Sequence, residues 1–214
     1  MTDGLFLAYS DPGPVPEAEF HDWYDNEHLP ARLTVPGFES ATRYRALDGL
    51  KPPWLAAYDI VPGTLDSPEY MAVRTSSSDR EKSVMARLAT LDRRDYRLIS
   101  DERPADVPGG ESPAPVLMSV SMSVPAGTED DMNAWYAAEH IPMLLAVPGW
   151  RRARRYRLVS GGGPEYLSLH DIAGEHVFAE DAYQAAVTTP WREKIVATAI
   201  NREKRVFGLY KTFR

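Results

Sequence analysis

Apolar and polar positions follow one pattern along this chain, and they follow it twice. A short apolar strand comes first, Leu5 to Tyr9 and again Val116 to Val124. The pattern then changes to helical spacing, opened by Pro16-Glu17 in one copy and by Thr128-Glu129-Asp130 in the other. Phe20, Trp23, Tyr24, Glu27 and His28 recur at intervals of three and four, so they share one side of that helix. Pro30 is expected to end or kink it, and Val-Pro-Gly to turn the chain. Two strands are predicted next, Phe38–Leu47 and Trp54–Val61, joined by the loop Asp48-Gly49-Leu50-Lys51-Pro52-Pro53; the second copy uses Gly161-Gly162-Gly163-Pro164 instead. A second helix covers Pro68–Leu91, broken at Thr75–Ser78, and Ala179–Asn201, broken near Pro190. Closing strands follow at Asp95–Ser100 and Lys204–Phe213.

The repetition is direct. Trp23-Tyr24-Asp25-Asn26-Glu27-His28-Leu29-Pro30 returns as Trp135-Tyr136-Ala137-Ala138-Glu139-His140-Ile141-Pro142, displaced by 112. At the same displacement Arg43-Tyr44-Arg45 becomes Arg155-Tyr156-Arg157, Tyr58-Asp59-Ile60 becomes His170-Asp171-Ile172, and Arg80-Glu81-Lys82 becomes Arg192-Glu193-Lys194. The chain therefore divides into residues 1–100, a linker 101–115 rich in proline and glycine, and residues 116–214. Each copy reads βαββαβ, the ferredoxin-like unit, with helices on one face of an antiparallel sheet. The other sheet face is too apolar for water. The fold class is accordingly α+β: two tandem ferredoxin-like modules that form an intramolecular α/β barrel.

Composition narrows the function. Cysteine is absent, which removes disulfides, thiolate catalysis and Cys-ligated metals, and fits a reducing cytoplasm. No apolar run is long enough to span a membrane, and no signal peptide is visible. A net charge of −7 argues against nucleic acid as a partner. The run Arg151-Arg152-Ala153-Arg154-Arg155-Tyr156-Arg157 reads as a solvated or salt-bridged strand rather than a phosphate site.

Tyr24, His28, Pro30 and Pro36-Gly37-Phe38, with Tyr136, His140, Pro142 and Pro148-Gly149-Trp150, resemble the signature of EthD-like proteins in the dimeric α/β-barrel superfamily. The resemblance spans nearly the whole chain outside the linker. It implies a barrel that relatives build from two chains and that this chain builds as a fused pair. It also implies one of several chemistries, among them cofactor-free monooxygenation, isomerisation, cyclisation, dehydration and heme catalysis. The chain departs from the heme-binding branch, so no heme is inferred.

Histidine is the side chain best suited to move protons near neutrality, which makes His28 and His140 the first catalytic candidates, with His170 beside them. Each of the first two is expected at a helix C-terminus, where it either meets substrate or caps free carbonyls. Glu27 and Glu139 are adjacent in sequence, point about a hundred degrees away, and are read as surface or salt-bridged groups. In a hairpin, facing residues have numbers of constant sum. Setting Tyr44 opposite Tyr58 and Tyr156 opposite His170 places Arg43 against Asp59 and Arg155 against Asp171 as cross-strand ion pairs. Trp23, Tyr24, Tyr44, Tyr58, Trp135, Tyr136 and Tyr156 are then the expected substrate contacts.

The expected protein is a cytoplasmic enzyme needing neither metal nor organic cofactor. Its partner is a small, largely apolar substrate, aromatic or polyketide-like, on which it performs proton-transfer chemistry as an isomerase, cyclase or lyase. The alternatives are a cofactor-free monooxygenase and a non-catalytic module sheltering a hydrophobic metabolite. A further homodimer is compatible with the sequence. Differences such as Tyr58 against His170 suggest that the two pockets have diverged.

Overall fold

A computed structural model describes residues 3–104 and 113–214, so residues 105–112 of the expected linker lie outside the described residues. Two compact units emerge. One holds Met1–Arg97 with Val159–Gly162 and Tyr210–Arg214; the other holds Leu98–Leu158 and Gly163–Leu209.

The first unit contains β1 (Gly4–Asp11), α1 (Glu17–Trp23), a π turn (Tyr24–His28), α2 (Leu29–Leu33), β2 (Phe38–Ala46), β3 (Trp54–Ile60), α3 (Pro68–Thr75), α4 (Asp79–Arg87) and most of β4 (Thr90–Glu102). Its strands lie in the order β4-β1-β3-β2, each pair antiparallel. The second unit repeats this with β5 (Val116–Ser123), α5 (Glu129–Trp135), a π turn (Tyr136–His140), α6 (Ile141–Leu145), β6 (Trp150–Gly161), β7 (Tyr166–Ile172), α7 (Asp181–Ala186), α8 (Pro190–Thr198) and β8 (Ile200–Phe213), ordered β8-β5-β7-β6. Both are βαββαβ units, as the periodicity predicts. The breaks in the second helices have local causes. Ser67, Ser78 and Thr189 each turn a hydroxyl onto the backbone N–H three residues on, and so cap α3, α4 and α8.

Pro30 does not end the first helix. The N–H of Leu29 bonds to the carbonyl of Tyr24, five residues back, and the helical path continues through Pro30 to Leu33. A proline cannot donate to the carbonyl four residues behind it, and a wide turn removes that demand. Pro142 behaves identically in the second unit. His28 and His140 are therefore inside a helical path rather than at a C-terminus, and the dipole argument for a charged imidazole does not apply to them. The chain turns only afterwards, at Gly37 and Gly149, whose φ values of 100° and 86° suit glycine.

The expected hairpin register is also corrected. Arg43 faces Ala56 and Tyr44 faces Leu55; Arg155 faces Ser168 and Tyr156 faces Leu167. The true number sum is smaller by three, because the turn is centred earlier in the loop. An odd shift moves a side chain to the other face of the sheet. Arg43 thus shares a face with Tyr58, whereas Tyr44 does not, and Asp59 instead accepts from Ser40 Oγ at 2.6 Å. In the second unit Asp171 pairs diagonally with Arg154 at 3.1 Å. One register does serve both hairpins, as expected. The arginine run is a salt-bridged strand: Arg152 pairs with Asp101, Arg154 with Asp171, and Arg157 with Glu165 at 2.7 Å.

Candidate functional site

Each unit carries a pocket between its sheet and its helices, and most of the lining positions of the two correspond. In the first, the π turn presents Tyr24 and His28, with Trp23 packed edge-on or tilted against both rings, and β3 contributes Tyr58. In the second, the π turn presents Tyr136 and His140 beside Trp135, and β7 contributes His170. The structure thus brings the aromatics and histidine of one helical side together at each pocket. Tyr44 and Tyr156 are buried on the other sheet face and line neither pocket.

The first pocket is closed by internal partners. Tyr24 Oη lies 3.2 Å from Tyr58 Oη. His28 Nδ1 lies 3.2 Å from Glu81 Oε1, and Arg32 Nη2 donates to the same oxygen at 2.9 Å. Burial pushes His28 down to about 4, the nearby carboxylate opposing and Arg32 reinforcing the shift. Burial raises Glu81, but the hydrogen bond from His28 and the neighbouring cations outweigh it and hold the carboxyl at about 2. Behind Tyr24, the Arg43 guanidinium sits 4.3 Å from the ring centroid, paired with Asp25 and 3.1 Å from His21 Nδ1. Arg155 repeats this role over the Tyr136 ring at 3.9 Å, with Asn133 in place of His21.

The second pocket is somewhat roomier, about 440 Å³ of space including its open mouth against about 370 Å³; each pocket's lining also holds buried nitrogens without a partner, Trp23 Nε1 and Arg32 Nη1 in the first. His140 stacks on Trp135 with centroids 4.3 Å apart, and His170 Nε2 lies 2.8 Å from Ser168 Oγ. The Nδ1 atoms of both histidines are buried without a hydrogen-bond partner. Burial, then the charge of Arg192, lowers His140 to about 3; burial, then His140, lowers His170 well below its usual range. Both rings are neutral bases at physiological pH. Tyr136 is held as the neutral phenol by burial.

Sequence reasoning missed the residue that separates the two pockets. Glu81 stands three places after the cap Ser78, and Arg192 stands three places after the cap Thr189. The helices correspond at a displacement of 111, not 112, so Glu81 answers to Arg192; the matching Arg-Glu-Lys triplets conceal the one-residue slip. The capping serine and threonine carry the correct alignment. Glu27 and Glu139 accept from Ser78 and Thr189, tying the π turns to the starts of α4 and α8, and Glu27 also pairs with Arg80 at 3.7 Å.

No protein-family model matches the chain, and no curated protein matches its sequence. Solved structures do match. An anthrone oxidase-like protein superposes with a TM-score of 0.66 at 14% identity, over 98% of this chain and 92% of that one. A monooxygenase-like protein from Listeria innocua gives 0.54 at 9%, over 100% and 98%. A mutant chlorite dismutase from Candidatus Nitrospira defluvii gives 0.56 at 11%, over 97% and 90%. The chain shares their fold, a pair of βαββαβ units. At these identities the likeness is one of fold. Among the described residues, no group of three His, Cys, Asp or Glu side chains is placed to hold a metal ion, and no helix is long and apolar enough to cross a membrane.

Proposed function

We propose that this chain is an enzyme of small-molecule metabolism, akin to EthD-like proteins as a tandem fusion, that abstracts a proton from a small, largely apolar substrate in the second unit. The observation that carries this reading is the pair His140 and His170, two buried neutral imidazoles lining one cavity. A neutral histidine accepts a proton, and a neighbouring cation such as Arg192 stabilises the resulting substrate anion. Tyr136 supplies an aromatic wall and a phenol able to protonate the substrate at another atom, which completes an isomerisation, cyclisation or elimination. Trp135 fixes the plane of His140 by stacking. In the first unit, His28, Tyr24 and Tyr58 already satisfy one another and Glu81, and that pocket serves mainly to hold the fold.

The names of the superposing proteins favour a second reading, a cofactor-free oxygenase. Its first step is the same proton abstraction; the substrate carbanion then passes electrons to dioxygen. Deuterium exchange tests both. A panel of carbon acids, anthrone among them, is incubated with the protein in heavy water and followed by NMR, with oxygen uptake measured in parallel. Exchange without oxygen uptake is expected for the isomerase-type reading, and His140→Ala or His170→Ala slows it about a hundredfold or more. Oxygen uptake moves the assignment to the oxygenase. Binding without exchange or uptake leaves the metabolite-sheltering module.

A further inference from the structure

The walls and mouth of the second cavity differ in chemistry. Trp135, Tyr136, Met118 and Met122 make the walls apolar and flat. At the mouth stand Arg192, Arg202 and Lys204. Neither Arg192 nor Arg202 has an ion-pair partner among the described residues, and after burial the like charge of Arg202 is the next cause lowering the Arg192 pKa. Lys204 Nζ makes its hydrogen bond to the phenol of Tyr183 at 3.1 Å, not to a carboxylate. No acidic side chain lines the cavity.

Three cations gathered without an anion repel one another, so the arrangement costs stability unless something negative completes it. The first unit shows what completion looks like: Arg32 there is balanced by Glu81, whereas the second unit has Leu144 for Arg32 and Arg192 for Glu81. We propose that the second cavity binds a ring-bearing organic anion, an aromatic carboxylate or phenolate, with Arg192, Arg202 and Lys204 holding the negative group and the apolar walls holding the ring. Guanidinium groups suit this task because their planar donors match a carboxylate in two-point contact. His140 and His170 then stand among the residues beside the ring. The inference names the substrate class for the proton-transfer site, and rests on that reading only for the site's use, not for its occupancy.

The test is calorimetric titration of the full chain with benzoate and 2-naphthoate, and with the neutral amides benzamide and 2-naphthamide. At low salt the acids are expected to bind about tenfold or more tightly than their amides, with the preference fading as salt rises. Arg192→Gln combined with Arg202→Gln removes the preference and leaves amide affinity within about twofold, while Arg93→Gln in the first unit changes neither. Melting temperatures confirm folding; should the double variant unfold, the exposed single changes Arg202→Gln and Lys204→Gln carry the same comparison. Equal affinity for acids and amides, no binding of either up to millimolar concentration, or an acid preference that survives the substitutions overturns the proposal. Deuterium exchange without acid preference would defeat this inference alone, and acid preference without exchange would defeat only the catalytic reading.

Discussion

Glu81 Oε1 accepts from Arg32 Nη2 at 2.9 Å and lies 3.2 Å from His28 Nδ1, so one buried carboxylate oxygen serves two helical residues from a third element. Removing it leaves Arg32, 5% exposed, as an uncompensated buried cation. Glu81→Ala is expected to cost about 3–5 kcal/mol in denaturant unfolding, whereas Arg32→Leu with Glu81→Leu costs far less, since both charges leave together. Leu144 already fills the position of Arg32 in the second unit. A single substitution as mild as the double one would show that the pair is not desolvated.

Arg43, 1% exposed, is the other buried cation with much to lose. It pairs with Asp25 and lies near the rings of Tyr24, Phe20, Trp54 and Tyr210. Arg43→Ala should destabilise by about 3–5 kcal/mol. Arg43→Lys should recover little, because an ammonium cannot both stack flat on a ring and reach His21 and Asp25 together. Full rescue by lysine, measured by urea unfolding, would reduce the role of Arg43 to simple charge.

Acid should weaken the fold through its histidines. His28 and His140 titrate near 4 and 3 when folded, below the ordinary value of 6.5. The unfolded chain therefore takes up protons first as pH falls. Their contribution is complete above about pH 6.5 and drains toward the folded values at about 1.4 kcal/mol per pH unit each, or about 2 kcal/mol each by pH 5. Glu81, held near 2, adds its own loss only below about pH 4.5. His140→Gln should flatten the fall in unfolding free energy between pH 7 and pH 5 by about one histidine's share. An unchanged slope would mean that His140 is not buried as the neutral ring.

Much of the fold was legible because amphipathic periods are set by local geometry, which the chain obeys in both copies. Strand and helix positions, the breaks before Asp79 and at Pro190, and the shared side of Trp23, Tyr24 and His28 all followed from spacing. The hairpin register did not, since matching tyrosines across the loop ignores where six residues bend. The π turn escaped for a related reason: proline announces a missing donor, not how the backbone absorbs it. Arg192 was hidden by a one-residue slip that only the capping residues betray. Arg202 and Lys204 lie on a strand whose charges looked ordinary, and their gathering around one cavity is a tertiary fact.

The exchange of Glu81 for Arg192 bears on how such proteins change over time. Two identical chains pairing about a twofold axis must carry the same residue at both sites, so any mutation that suits one pocket is imposed on the other. A chain that contains both copies is released from that symmetry. One half can fix a carboxylate that anchors its helices, and the other a guanidinium that leaves its cavity hungry for a guest. With both copies in one chain, Glu81 and Arg192 stand at matching places, and neither choice constrains the other.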